Sequence, residues 1–140
     1  MNAVDTNVWL YAIDFKEPQK LGRSRQLLAD LETTDGTVLL WQVVSEFVNG
    51  LRRWERQRGL THQQVDAWTE WIIEMFPIVT PQHTTVLTAL DLSRRYSLSH
   101  WDSMLLAACI EAGVTTLYPE DLSHDMRYDS VLVVNQGDCT

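Results

Sequence analysis

The sequence predicts an α/β domain with three layers, α/β/α, around a mainly parallel central sheet. Three observations point there. Short, largely apolar runs recur along the chain: 2–5, 37–41, 77–79, 115–118 and 131–134. Helical patterns separate most of them, so the strands alternate with helices instead of pairing as hairpins. The runs lack the in–out alternation of a half-solvated strand, which is the signature of strands covered on both faces.

Each element has its own signal. The run at 2–5 opens the chain as a strand. Pro18 begins a helix in which Leu21, Leu27, Leu28 and Leu31 recur at helical spacing. Asp35-Gly36 is a turn, followed by the strand at 37–41. Val43, Val44, Phe47, Val48 and Leu51 then form the stripe of a long helix, which Gly59 ends. Thr61, with Gln64 three residues on, marks the N-cap of a helix running to about Met75. A short strand at 77–79 precedes a helix over 82–96. Ser99 caps a helix from Trp101 to Ala112 that Gly113 closes, and the strands at 115–118 and 131–134 complete the chain.

The 140 residues suit one domain, 1–140, and an apolar content of 45% with six tryptophans predicts a substantial core. No apolar run approaches the roughly 20 residues that span a bilayer. No basic leader precedes Asn2-Ala3-Val4-Asp5, so the expected location is cytoplasmic. Cys109 lies in an apolar helical pattern and Cys139 is next to the last residue, a distribution that reads as one core residue and one tail residue. The net charge of −8 argues against a protein that coats nucleic acid by bulk attraction.

Four carboxylates stand where an α/β sheet gathers ligands, just beyond strands or at the starts of the following helices. Asp5 ends the first strand, Glu46 lies early in the helix after the second, Asp102 opens the helix after Ser99, and Asp121 follows the strand at 115–118. Each has an ordinary structural explanation as well. Asp5 suits a turn leaving the strand, Glu46 a solvated helix face, Asp102 a capping box with Ser99, and Asp121 a turn. Asp102 has one further property: at ~100° per residue it shares a face with Leu105, Leu106 and Cys109, so it heads the apolar stripe. Carboxylates converging at one sheet edge repel, and a hard divalent cation offsets that repulsion. Oxygen-only donors suit Mg²⁺ or Mn²⁺, while the four histidines show no zinc-type spacing.

The chain resembles the PIN-domain family, most closely the VapC-type toxin ribonucleases of toxin–antitoxin pairs. The matching segments are Val4-Asp5-Thr6-Asn7-Val8, Ser45-Glu46-Phe47, Trp101-Asp102-Ser103 and Tyr118-Pro119-Glu120-Asp121-Leu122, in the family's order and approximate spacing. The resemblance implies that Asp5, Glu46, Asp102 and Asp121 form the family's acidic quartet around Mg²⁺ or Mn²⁺, with Asp5 and Asp102 as direct ligands. It implies that Thr6 and Asn7 orient the first acid or metal-bound water. The last motif varies in the family, so Glu120 or Asp125 can share the role of Asp121. The implied activity is metal-assisted hydrolysis of RNA phosphodiesters. A homodimer and a cognate antitoxin that blocks the site are implied too, and a basic side chain entering the carboxylate cluster is a sensible means of inhibition.

Attraction of RNA to an acidic protein needs a local basic rim. Arg52 and Arg53, near the end of the Glu46 helix with Arg56 and Arg58, and Arg94 and Arg95, shortly before Asp102, are its candidates. The same arginines also read as an ordinary solvated helix face. Single-stranded or looped RNA is the expected substrate. The aromatic segment with Trp68, Trp71 and Phe76 reads as core or, where exposed, as a partner surface. Two alternatives remain: a catalytically silent PIN-like binding module acting through protein or RNA contacts, and a Mg²⁺-dependent phosphatase with Asp5 as nucleophile. The phosphatase usually needs a second Asp two residues on, where this chain has Asn7.

Overall fold

The computed structural model describes residues 1–34, 36–119 and 125–134. In order the elements are β1 (Asn2–Val4), α1 (Thr6–Tyr11), α2 (Pro18–Glu32), β2 (Leu39–Leu40), α3 (Trp41–Arg58), α4 (His62–Met75), β3 (Ile78–Val79), α5 (Thr85–Tyr96), α6 (His100–Ala112), β4 (Thr116–Tyr118), β5 (Arg127–Tyr128) and β6 (Val131–Val133). A four-stranded sheet runs β1-β4-β6-β5, and β2 pairs with β3. The β1–β4, β4–β6 and β2–β3 ladders are parallel, and β5–β6 is antiparallel. A single parallel bridge from Asn2 to Thr37 joins the two sheets beside β1. The α/β class and the mainly parallel sheet are as the alternation predicted.

The capping signals act as expected. Thr61 and Gln64 close a reciprocal capping box on α4. Gly59 and Gly113 end α3 and α6 with φ of 71° and 77°, left-handed conformations that cost a residue without Cβ little.

Several boundaries differ from the sequence reading. The strand at 2–5 stops at Val4, because Asp5 leaves the ladder to cap α1, a short helix the periodicity did not reveal. Six residues, two of them the weak helix formers Thr6 and Asn7, give a faint helical pattern. The strand at 37–41 contracts to Leu39–Leu40 since Trp41 already starts α3. The helix over 82–96 begins at Thr85, after Pro81 and a turn. β5 was also unforeseen: its two residues are Arg127, which is exposed, and Tyr128, which is buried.

The core explains why α1 forms. Trp9 is buried, and its indole N–H donates to the Val4 carbonyl at 3.3 Å. Its ring meets Trp71 and Phe76 edge-on, at 5.6 and 5.9 Å between centroids, and Trp68 meets Trp71 at 5.3 Å. The aromatic segment of α4 is thus packed on the core, each ring partly buried. Gly50 lets α1 approach α3, since a Cβ there would lie 2.9 Å from the Leu10 Cδ1. Among the described residues no helix is long and apolar enough to cross a membrane.

Candidate functional site

Three of the four predicted acids line one small cleft, of about 90 Å³, with Thr6, Asn7, Gln42, Trp101 and Leu105. The fold delivers each from a different element. The Asp5 backbone N–H donates to the Tyr118 carbonyl at 3.0 Å, so the β1–β4 ladder fixes where the chain leaves the sheet. Asp5 then caps α1, its Oδ1 accepting from the Thr6 N–H at 2.7 Å. The turn explanation for Asp5 therefore holds, and it places the carboxylate in the cleft.

Glu46 sits in the second turn of α3 and both its oxygens are held. Oε2 accepts from the Thr6 hydroxyl at 3.3 Å, and Oε1 from the Gln42 amide at 2.7 Å. Asp102 is the third residue of α6. Its backbone N–H donates to Ser99 Oγ at 3.2 Å, the helix-capping contact expected from sequence. As the helical phase required, Leu105, Leu106 and Cys109 are buried beneath it.

The electrostatics agree with that packing. Burial pushes the Cys109 thiol up, and the Asp5 carboxylate adds to the shift, so Asp5 exerts its charge on the buried face of α6. The cleft's donors are carboxylates, a hydroxyl and amide groups. That set suits a hard cation and offers nothing to a soft one. Among the described residues, however, no three His, Cys, Asp or Glu side chains close on a common point that could hold a metal ion.

The remaining candidates are distributed differently. Asp121 and Glu120 lie outside the described residues. Asp125 is exposed, has φ of 59°, and its N–H donates to the Val133 carbonyl at 2.8 Å in the approach to the β5–β6 hairpin. Arg52 lines a separate groove of about 600 Å³ with Glu55, His62, Asp66 and Glu70. Arg53 and Arg94 are exposed. Arg95 is tied to Asp129 and Asp91, each at 2.7 Å. Arg58, at the end of α3, pairs with the buried Asp14 at 2.9 Å.

Gln42 and the place of Trp101 on the cleft escaped the sequence reading. The Gln42 amide also donates to the Trp101 carbonyl, at 3.1 Å, joining the starts of α3 and α6. The Gln42–Glu46 spacing of four was a usable signal, since such pairs meet on a helix face.

Comparison with known proteins fits this architecture. The family model of the PIN domain matches residues 3–124. Among solved structures, VapC20 of Mycobacterium tuberculosis, a sarcin–ricin loop cleaving toxin, is similar with a TM-score of 0.64 and 16% identity, over 86% of this chain and 90% of that one. VapBC2 of Rickettsia felis, bound to a DNA fragment from its promoter, is similar with a TM-score of 0.68 and 15% identity, over 96% of this chain and 97% of that one. At these identities the likeness is one of fold. No curated protein matches in sequence.

Proposed function

The chain belongs to the PIN-domain family, and from that premise we propose that it is a Mg²⁺- or Mn²⁺-dependent endoribonuclease, the toxin of a toxin–antitoxin pair. The observation that carries this reading is the meeting of Asp5, Glu46 and Asp102, from three separate elements, in one cleft. The fold likeness to VapC toxins supports it. Asp5 and Asp102 would hold the ion, with Glu46 and Asp121 completing the site through water or a second ion. A bound divalent cation supplies an activated water and offsets charge on the phosphate.

The chain's own residues do the positioning. The Thr6 N–H fixes Asp5 while its hydroxyl fixes Glu46, so one residue sets the relation between two acids. Gln42 holds the second oxygen of Glu46, which leaves that carboxylate little freedom to turn away. Ser99 secures the first turn of α6 under Asp102. Such outer hydrogen bonds keep acidic ligands in one orientation before substrate arrives.

The proposed partners are RNA, a cognate antitoxin and a second copy of the chain, acting in the cytoplasm. Val86, Leu87 and Leu90 leave one face of α5 apolar and exposed, which supports the homodimer. Arg53 and Arg94, exposed, are better placed than Arg95 to meet phosphates, because Arg95 is committed to Asp129 and Asp91.

The test is cleavage of a panel of structured RNAs in Mg²⁺, Mn²⁺ and EDTA by the native protein and by Asp5→Asn and Asp102→Asn. Cleavage is expected with either metal and not in EDTA. Both variants should lose more than the ~10–100-fold typical of an outer-shell change. Cleavage that persists in EDTA, or in Asp5→Asn, rejects the mechanism. Metal binding without cleavage of any RNA favours the silent binding module.

A further inference from the structure

Trp101 is 65% exposed, although it lines the acid cleft and precedes Asp102 in the first turn of α6. Trp41, the first residue of α3, is 50% exposed at the start of the helix that carries Glu46. The core takes the bulk of neither indole. Gln42 connects the backbone beneath Trp101 to the acids: one amide group donates to the Trp101 carbonyl at 3.1 Å and to Glu46 at 2.7 Å. The His100 ring stands edge-on to the Trp101 indole, 4.7 Å between centroids with the planes at 75°. Trp101 thus lines the cleft beside the carboxylates, its backbone held and its indole largely exposed.

We propose that Trp101 is a stacking platform for an unpaired nucleobase next to the phosphate that enters the cleft. This rests on the ribonuclease reading. The charge distribution selects the occupant. With a net charge of −8 and three carboxylates lining the cleft, the protein repels an RNA backbone there except through bound cations. Stacking on an indole face needs no charge and tolerates any base. The residue adjoining Asp102 is also the one placed to meet a base adjoining the bound phosphate. Stacking requires a base free of its pair, so the platform selects single-stranded or looped RNA over duplex.

The experiment uses the full native chain with Ca²⁺ in place of Mg²⁺, so that a hard cation is present while the probe survives, and short single-stranded oligoribonucleotides bearing one 2-aminopurine. The fluorophore should be quenched on binding, and the same oligonucleotide in a duplex should not be. Trp101→Ala and Trp101→Leu should each weaken binding by about 5- to 150-fold, the worth of one base–aromatic stack. Trp101→Phe should restore most of it. Ile73→Ala, which removes an exposed apolar side chain on α4, should bind as the parent does. With Mg²⁺ restored, Trp101→Leu should raise KM more than it lowers kcat.

Metal-dependent cleavage with KM and quenching unchanged in Trp101→Leu overturns the platform and leaves the ribonuclease standing. A change of sedimenting mass in that variant, with RNA binding intact, also overturns it and assigns Trp101 to a protein contact. No cleavage by the native chain under any metal condition rejects the ribonuclease reading, and the platform falls with it.

Discussion

Thr6 is where the geometry of the cleft is decided. It is buried, its N–H donates to the capping Asp5 carboxylate, and its hydroxyl donates to Glu46. Thr6→Val keeps the shape and removes only the hydroxyl. We expect cleavage or Mg²⁺ affinity to fall ~10–100-fold with the fold intact, and Thr6→Ser to recover most of the loss. Steady-state kinetics beside a metal titration checks this, and unchanged values would show that the contact does not orient Glu46. The acids themselves were legible as charges at strand ends and helix starts. Gln42 was not, because an uncharged amide on a helix carries no signal until its two acceptors, Glu46 and the Trp101 carbonyl, are brought within reach.

Among the elements, the carboxylate of Asp129 helps fasten the β5–β6 hairpin to α5, beside the Tyr96–Tyr128 ring contact. Asp129 receives two N–H bonds from Arg95 at 2.7 Å and the Tyr96 hydroxyl at 2.8 Å. These bonds, the arginine's above all, hold Asp129 down to about 2 from the ordinary 3.8. A carboxylate depressed in the folded state contributes stability that is complete above its ordinary value and is lost as pH falls through the folded one. The native Tm should therefore drop more steeply between pH 3.8 and about 2 than that of Asp129→Asn, and the two curves should converge below. Asn suits the test because it tolerates the φ of 53° found at this position. Parallel curves across that range would exclude the clamp. Of the hairpin, β6 was legible in the sequence and β5 was not, because a two-residue strand has no periodicity to read, whereas α4 announced itself through Thr61 and Gln64.

At the scale of the whole molecule, the buried Asp14 joins the turn after α1 to the end of α3. Burial pushes its carboxyl up, but Arg58, helped by the Lys16 backbone N–H, outweighs that and holds it below the ordinary value. Arg58→Met should cost ~1–3 kcal/mol at neutral pH in urea unfolding, since a buried acceptor loses its donor. The deficit should shrink in acid, where Asp14 takes up a proton; a deficit independent of pH would point instead to the lost contact of the Arg58 guanidinium with the Trp54 ring. By itself the sequence determined the alternation of strands and helices and their caps, because periodicity and cap chemistry are local properties. Tertiary structure decided the rest. α1 exists because Trp9 finds Trp71 and Phe76, Arg58 became a structural partner because Asp14 is buried beside it, and Trp101 became the rim of the cleft because Gln42 spans two helices. Each depends on groups far apart in the chain, whose meeting no local pattern encodes.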